Sequence, residues 1–319
     1  MDACVASSPT SSQKFQSRNL LLKPENSLVN QTLDPERHPQ LQLAGWGFGI
    51  WSEHLLKPEA PLLYHRPTAA FYDDNVEGIV PSLQASTLLA HVRAADYNSL
   101  TVLADENCHP FSYPDTPWIV AQNGDVPNWK ILQRELLPHC KDSYLQQMAG
   151  TTDTEFIYVL LLSVLEGDSD EDVQRAFEEM MRLIVQAMEA LDLPALIKLK
   201  MALLSPHRII GVNVGAGHQG ETEPEGDWEE LRKSEPGIDD YALGMLLEPM
   251  YMPTGRNFEH DDSTYGFETC TDEDATAAIF ASEPLTDEPD DWSILEFGEI
   301  VFLKKKDETI TRNFARLKV

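Results

Sequence analysis

The chain has 319 residues, 42% of them hydrophobic, enough apolar material for one large domain or two small ones with a substantial core. Its 24 Lys and Arg against 53 Asp and Glu give a formal charge of −29, so phosphate backbones and anionic membrane surfaces would repel it. Neither nucleic acid nor a membrane is expected as a partner, and no apolar run approaches the roughly 18–20 residues of a bilayer span.

Cys4, Cys108, Cys140 and Cys270 are scattered, with no C-x-x-C pair and no metal-like cluster with histidine, which suits a reducing, cytoplasmic setting and no metal. The segment from Met1 to Arg18 is Ser-rich, poor in acids and poor in apolar residues. It is expected to lie loosely on the surface ahead of a single domain over 19–319, with a transit peptide as the alternative reading.

From Leu20 onward the pattern becomes structured. Short apolar runs rich in branched and aromatic residues, WGFGIW (46–51), PLLYHR (61–66), LTVLA (100–104) and PWIVAQ (117–122), are bounded by Pro, Gly, Asn or Asp and predict strands. LLAHVR places Arg93 at the end of another apolar run. WKILQRELLPHC (129–140) predicts a helix, and Thr152-Asp153-Thr154-Glu155 is a capping box opening a second. Val173, Ala176, Phe177, Met180, Ile184, Ala187 and Met188 recur at helical spacing and give an apolar stripe that should face a sheet. From Gly211 to about Ala275 the chain reads as an irregular acidic insertion; residues 221–291 hold 22 Asp or Glu against Arg232, Lys233 and Arg256. Strand character returns at AAIFASE (277–283) and SILEFGEIVFLKK (293–305), with Gly298 in a turn. Strands, a block of helices, then strands again predict a layered α+β domain.

Several residues carry chemistry, each with a structural alternative. Asn123-Gly124 is a favoured hairpin-turn dipeptide, yet Pro127 follows too soon for a regular return strand. Read functionally, the Asn123 amide and the Gly124 N–H are two donors aimed at a developing oxyanion. Asp153 is favoured by the helix dipole without any ligand, or it is a carboxylate for a bound ammonium. Arg93 at a strand end suits a bidentate grip on a carboxylate. His91 and His109 could act as general bases, but histidines beside Pro110 or inside an apolar run are more often satisfied supporting groups, the place also given to Asn107.

The order and company of HVRAAD (91–96), N-C-H-P-F (107–111), QNGDV (122–126) and GTTDTE (150–155) resemble the glutamine-binding motifs of class-II glutamine amidotransferases. LLLKPENSLVNQ (20–31), GFGIW (47–51), ASEPLT (281–286) and Trp292 resemble a branch that includes the amidotransferase-like subunit of the fungal glutathione-degrading complex. The resemblance covers about 19–205 and 276–304. It implies the four-layer αββα sandwich of N-terminal-nucleophile hydrolases, needs no cofactor, and implies hydrolysis of a γ-glutamyl amide through a cysteine thioester. Arg93 would hold the substrate α-carboxylate, Asp153 its α-ammonium, and Asn123 with Gly124 the oxyanion. A peptidase or synthase partner would go with such a subunit.

The family nucleophile is an N-terminal cysteine, whereas Cys4 is preceded here by Met1-Asp2-Ala3 and followed by no apolar strand pattern. Three readings remain: removal of the three residues, a non-catalytic relative that keeps the γ-glutamyl pocket as a binding or scaffold subunit, or a recorded start that is not the functional one. Gly45-Trp46-Gly47-Phe48-Gly49 also departs from the family's Gly-Asp-Gly-Phe-Gly. GVNVGAGHQG (211–220) makes no nucleotide loop, since no G-K-[ST] follows.

Overall fold

The computed structural model describes residues 2–7, 15–33, 42–95, 102–193, 197–216 and 249–318, apart from 257, 262, 263, 269, 287–291 and 308. Its main strands are β1 (Asp2–Ser7), β2 (Trp46–Trp51), β3 (Leu62–Arg66), β4 (Thr87–Val92) and β5 (Ile119–Asp125) in the first half of the chain. They continue with β6 (Ile197–Ser205), β7 (Arg208–Ala216), β8 (Ala277–Ala281), β9 (Glu299–Lys306) and β10 (Thr309–Arg316). The helices that matter are α1 (Arg18–Leu21), α2 (Leu28–Gln31), α3 (Asn75–Ile79), α4 (Trp129–Leu136), α5 (Asp153–Val164) and α6 (Asp170–Ala190).

Among the described residues the strands form two large antiparallel sheets. In one, β8, β1, β4, β2 and β3 lie side by side; in the other the order is β10, β9, β7, β6, β5 and then the short strand Phe111–Ser112. Leu89, Ile119, Ala121, Ala202, Leu204 and Phe280 fill the space between the sheets. Val120, Met201, Leu203 and Val212, from the opposite face of the second sheet, pack against Phe156 of α5 and Phe177 of α6. Phe48, Ala90 and Ile279, from the opposite face of the first, pack against Leu20 of α1 and Leu28 of α2. The result is the expected helix, sheet, sheet, helix layering. Strands β2, β4, β6 and β7 are buried at every position. Covered on both faces, they need no regular polar alternation, which is why WGFGIW reads as a continuous apolar run.

Two helix starts position the site. Thr152 caps α5, its Oγ1 accepting the Glu155 N–H at 3.2 Å, a contact worth about 1 kcal/mol. The predicted box is half formed, because the Glu155 carboxylate accepts instead from the N–H groups of Ala149 and Gly150. The reciprocal box occurs at α6, between Ser169 and Asp172.

The structure differs from the sequence expectation at four places. Residues 2–7 do not lie loosely; they form β1, paired with β4 on one side and β8 on the other. Backbone hydrogen bonds from two neighbours hold the strand, so it needs no apolar pattern of its own. Residues 102–104 are not a strand, and they lead into a single 3-10 turn at Asp105–Asn107. The stretch expected to be irregular from Gly211 begins as β7, which runs to Ala216; residues 217–248 lie outside the described part. Strand β10, with its Thr, Asn and Arg content, carried no apolar signal because much of it is exposed on the sheet edge.

Candidate active site

Hydrogen bonds through backbone groups link several of the residues singled out by the motifs. Strand β4 ends at Val92, and Arg93 is locked by its backbone to the loop before β2: its N–H donates to Gly45 O at 2.8 Å and its carbonyl accepts from Ala44 N–H at 2.9 Å. The half-buried guanidinium donates through Nη1 to the carbonyls of Ala44 and Val102, both at 3.4 Å. Two residues earlier, His91 points into the gap between the sheets, with Nε2 3.1 Å from the Gln122 carbonyl of β5. A carbonyl only accepts, so the Nε2 atom carries the proton and Nδ1, buried and without a partner, is the bare nitrogen. The His109 ring stands against it at 4.1 Å between centroids. Burial comes first for both imidazoles, followed by the charge of His109 at His91 and of Arg93 and His65 at His109, and it holds both neutral: His91 is well below its usual value and His109 is pushed down to about 3. Neither can serve as a general base near neutrality by gaining a stable proton.

Asn107 ties the second motif to the fourth. Its Oδ1 accepts the Thr151 N–H at 2.7 Å, and its Nδ2 donates to Val102 O and to Thr151 Oγ1. The Val102 carbonyl is thus shared by Asn107 and Arg93. Two residues after Thr151, Asp153 accepts the Val126 N–H at 3.1 Å and the Thr154 N–H at 2.8 Å. These bonds close a circuit from Arg93 through Asn107 to the start of α5 and on to the end of β5. Asp153 stays partly open to solvent, and burial of its carboxylate, with the charge of Asp125 next, pushes it up to about 6.

Asn123 and Gly124 are not a hairpin turn. They lie within β5, with Asn123 opposite Lys200 and Gly124 opposite Leu199 of β6. Asn123 is buried on the face that looks toward the other sheet, and its Oδ1 has no partner. Gly124 has φ +151°, and a Cβ there would sit 2.0 Å from the Lys198 carbonyl, so only glycine lets the strand bend so close to β6. Gly47 does a similar job across the site: a Cβ on it would strike the His109 carbonyl at 2.3 Å, so its absence lets the segment carrying Asn107 and His109 lie on β2.

Cys4 sits inside β1, opposite Ala90 of β4 and Ala281 of β8; the position opposite His91 is Ala3. The side chains of Ala90 and Ala281 belong to the layer under α1 and α2. Cys108 lies close in sequence to the site but is buried, donates toward Arg66 O, and burial pushes its thiol up to about 11, so it offers no nucleophile. Among the described residues, no group of three or more His, Cys, Asp and Glu is arranged to hold a metal ion.

A family model described as class-II glutamine amidotransferases matches residues 33–196, just over half of the chain. The chain belongs to the class-II glutamine amidotransferases. Within that family it is similar to the probable glutamine amidotransferase DUG3 of Saccharomyces cerevisiae, at 33% identity over 162 residues, covering 48% of this chain and 43% of that protein. It therefore spans less than half the length of this curated relative. Among solved structures, a glutamine aminotransferase class-II domain protein from Silicibacter pomeroyi superposes with a TM-score of 0.59 at 13% identity, covering 100% of both chains. The allosteric regulatory enzyme of purine biosynthesis gives 0.50 at 14% identity, over 98% of this chain and 48% of that one. At such identities the likeness concerns the fold, and it agrees with the α+β sandwich of the N-terminal-nucleophile type.

In this amidotransferase chain, sequence reasoning overlooked the buried lysines Lys198 and Lys200 of β6. Their signal was present: in IKLKMALLS they are the two charges in an otherwise apolar run, spaced by two and so on one face of the strand. A groove of about 920 Å³ along α6, lined by Arg175, Glu179 and Arg182 among others, holds none of the motif residues. Volume alone does not locate the site. Among the described residues, no helix is long and apolar enough to cross a membrane.

Proposed function

We propose that this chain binds the γ-glutamyl group of glutamine, or of a γ-glutamyl peptide such as glutathione, and hydrolyses its amide. Arg93 takes the α-carboxylate and Asp153 the α-ammonium, which orients the γ-carbonyl so that binding supplies alignment. A thiolate attacks that carbon, and the Asn123 amide and Gly124 N–H receive the oxyanion. Collapse of the tetrahedral species expels ammonia or an amine and leaves a γ-glutamyl thioester, which water converts to glutamate and free thiol. Cys4 is the candidate thiol. The observation that supports the reading is the Asp153–Val126 bond at 3.1 Å, since it draws the ammonium-binding carboxylate to the strand that carries the oxyanion donors.

The register of β1 favours a second reading. As an internal strand residue with paired neighbours on both sides, Cys4 lacks the free α-amine that the family mechanism uses, and removing residues 1–3 would delete the pairing of Asp2 with Val92 and of Ala3 with His91. On that reading the chain is a γ-glutamyl-binding subunit, docking a peptidase or synthase partner in the cytoplasm. One experiment separates the two: incubate the full chain and Cys4→Ala with glutamine and with γ-glutamyl peptides, and measure glutamate release and binding. Release that depends on Cys4 supports hydrolysis, binding without release supports the subunit, and neither release nor binding overturns both.

A further inference from the structure

Strand β2 and the residue before it carry their glycines on one face. Gly45, Gly47 and Gly49 alternate with Trp46, Phe48 and Ile50, whose side chains enter the layer under α1 and α2. The glycine face is a trough, and consecutive residues of one segment lie in it. A Cβ on Gly45 would stand 2.6 Å from Cys108 Sγ, one on Gly47 2.3 Å from the His109 carbonyl, and one on Gly49 3.2 Å from Pro110 Cγ. Residues 108–110 therefore run along β2, directly after Asn107.

Two imidazoles wall this trough. In the row through Gly47, His65 of β3 stands on one side and His91 of β4 on the other. His91 lays its ring against that of His109. His65, on the last strand of the first sheet, reaches the segment by a hydrogen bond: its Nε2 is 2.9 Å from the Pro110 carbonyl, and because a carbonyl only accepts, Nε2 carries the proton. Burial holds the His65 imidazole below its usual value, with the Pro110 bond and then the charge of Asp105 acting against it, so the ring is uncharged near neutrality.

The segment that His65 holds connects the groups proposed to bind substrate. Asn107, three residues before Pro110, accepts the Thr151 N–H and donates to the Val102 carbonyl, which also receives the Arg93 guanidinium. Thr151 is two residues before Asp153. A shift of the segment along the trough is passed by these bonds to both Arg93 and Asp153, although His65 touches neither.

We propose that His65 is a positioning residue of the site: by fixing the Pro110 carbonyl it seats residues 108–110 in the β2 trough, where Asn107 holds the Arg93 and Asp153 ends of the pocket together. This rests on the γ-glutamyl reading above. A role confined to stabilising the sheet edge would lower the melting temperature and leave ligand affinity alone.

The test is titration calorimetry of glutamine on the full chain carrying Cys4→Ala, so that turnover does not intervene, with thermal melting in parallel. His65→Phe keeps a ring and loses the donor, leaving the Pro110 carbonyl unpaired, and is expected to weaken glutamine binding by about tenfold. His65→Gln keeps an N–H about where Nε2 stands and is expected to bind within about threefold of the starting chain. Asn26→Ala removes a 2.6 Å bond to the Pro284 carbonyl, outside the trough, and is expected to lower the melting temperature with affinity unchanged. Full affinity in His65→Phe overturns the proposal, as does a loss in His65→Gln equal to that in His65→Phe, or the same loss in Asn26→Ala. Should His65→Phe fail to fold, His65→Asn decides, because its amide stands about where Nδ1 does and falls short of Pro110: affinity equal to that of His65→Gln overturns the proposal. Failure of the Cys4→Ala chain itself to bind glutamine overturns the γ-glutamyl reading, and the positioning role falls with it.

Discussion

Asp153→Asn is expected to stabilise the protein while removing its grip on an amino-acid ammonium. Burial, and after it the charge of Asp125, raises the Asp153 carboxyl from 3.8 to about 6. The folded state therefore holds this proton more tightly than the unfolded state does. Below pH about 4 both states are protonated and the ionisation costs nothing. As pH rises from about 4 to about 6 the unfolded chain ionises first, stability is lost, and above about 6 the loss is constant. A shift of about two pH units corresponds to about 3 kcal/mol, and because Asp153 keeps partial exposure, screening reduces this to about 1–2 kcal/mol. Asparagine mimics the neutral acid and keeps an acceptor for the Val126 N–H. Thermal unfolding of both proteins across this pH range should show coincident midpoints at the acid end and a variant about 1.5–3 °C higher at neutral pH. Glutamine binding to the unmodified chain should weaken as pH falls through about 6 and be absent in the variant. A variant that melts lower at neutral pH, or a difference that does not change with pH, would refute the assignment of a buried, ligand-facing carboxylate.

Three further substitutions probe the rest of the site. Asn123→Ala should lower kcat by about 10²–10³, equivalent to about 2.7–4 kcal/mol, with KM little changed; a rise in KM at constant kcat would make Asn123 a ground-state binding residue. Gly124→Ala places a Cβ 2.0 Å from the Lys198 carbonyl in a φ +151° backbone, so denaturant unfolding should show a loss of about 2 kcal/mol or more, and an unchanged midpoint would refute the close approach of β5 to β6. Asn107→Ala leaves the Thr151 N–H without its acceptor and should cost about 1–3 kcal/mol while weakening glutamine binding; a stability loss with unaltered binding would separate Asn107 from the positioning of Asp153.

How much of this was legible in the sequence follows from which forces shape each part. The runs WGFGIW and AAIFA declared themselves because both faces of their strands are covered, and the periodic residues of α6 did so because one face meets a sheet. Strand β1 was hidden because its place is set by pairing with β4 and β8, a long-range contact that local composition does not encode. The Asn123-Gly124 pair shows the same limit: its local preference is a turn, and pairing with β6 overrides it. Arg93, Asn107 and Asp153 were legible as residue types in motif order, but the bonds through Val102 and Thr151 that join them involve backbone groups with no sequence signature.

That same bonding pattern separates the proposed binding residues from Cys4. Arg93 is fixed by Ala44 and Gly45, Asp153 by Val126, Asn107 by Thr151, and His91 fastens β4 to β5 through Gln122. The backbone of β1 pairs with β4 and β8, and the contacts just named run between other elements. A change at Cys4 that keeps the strand therefore leaves the circuit of binding groups in place. The expected consequence is that Cys4→Ala retains glutamine affinity within about twofold, less than about 0.5 kcal/mol, whatever happens to turnover. If affinity fell together with turnover, the pocket would depend on β1 for more than its backbone, and the non-catalytic reading would lose its physical basis, because a chain of this family could not then keep the site while dispensing with the nucleophile.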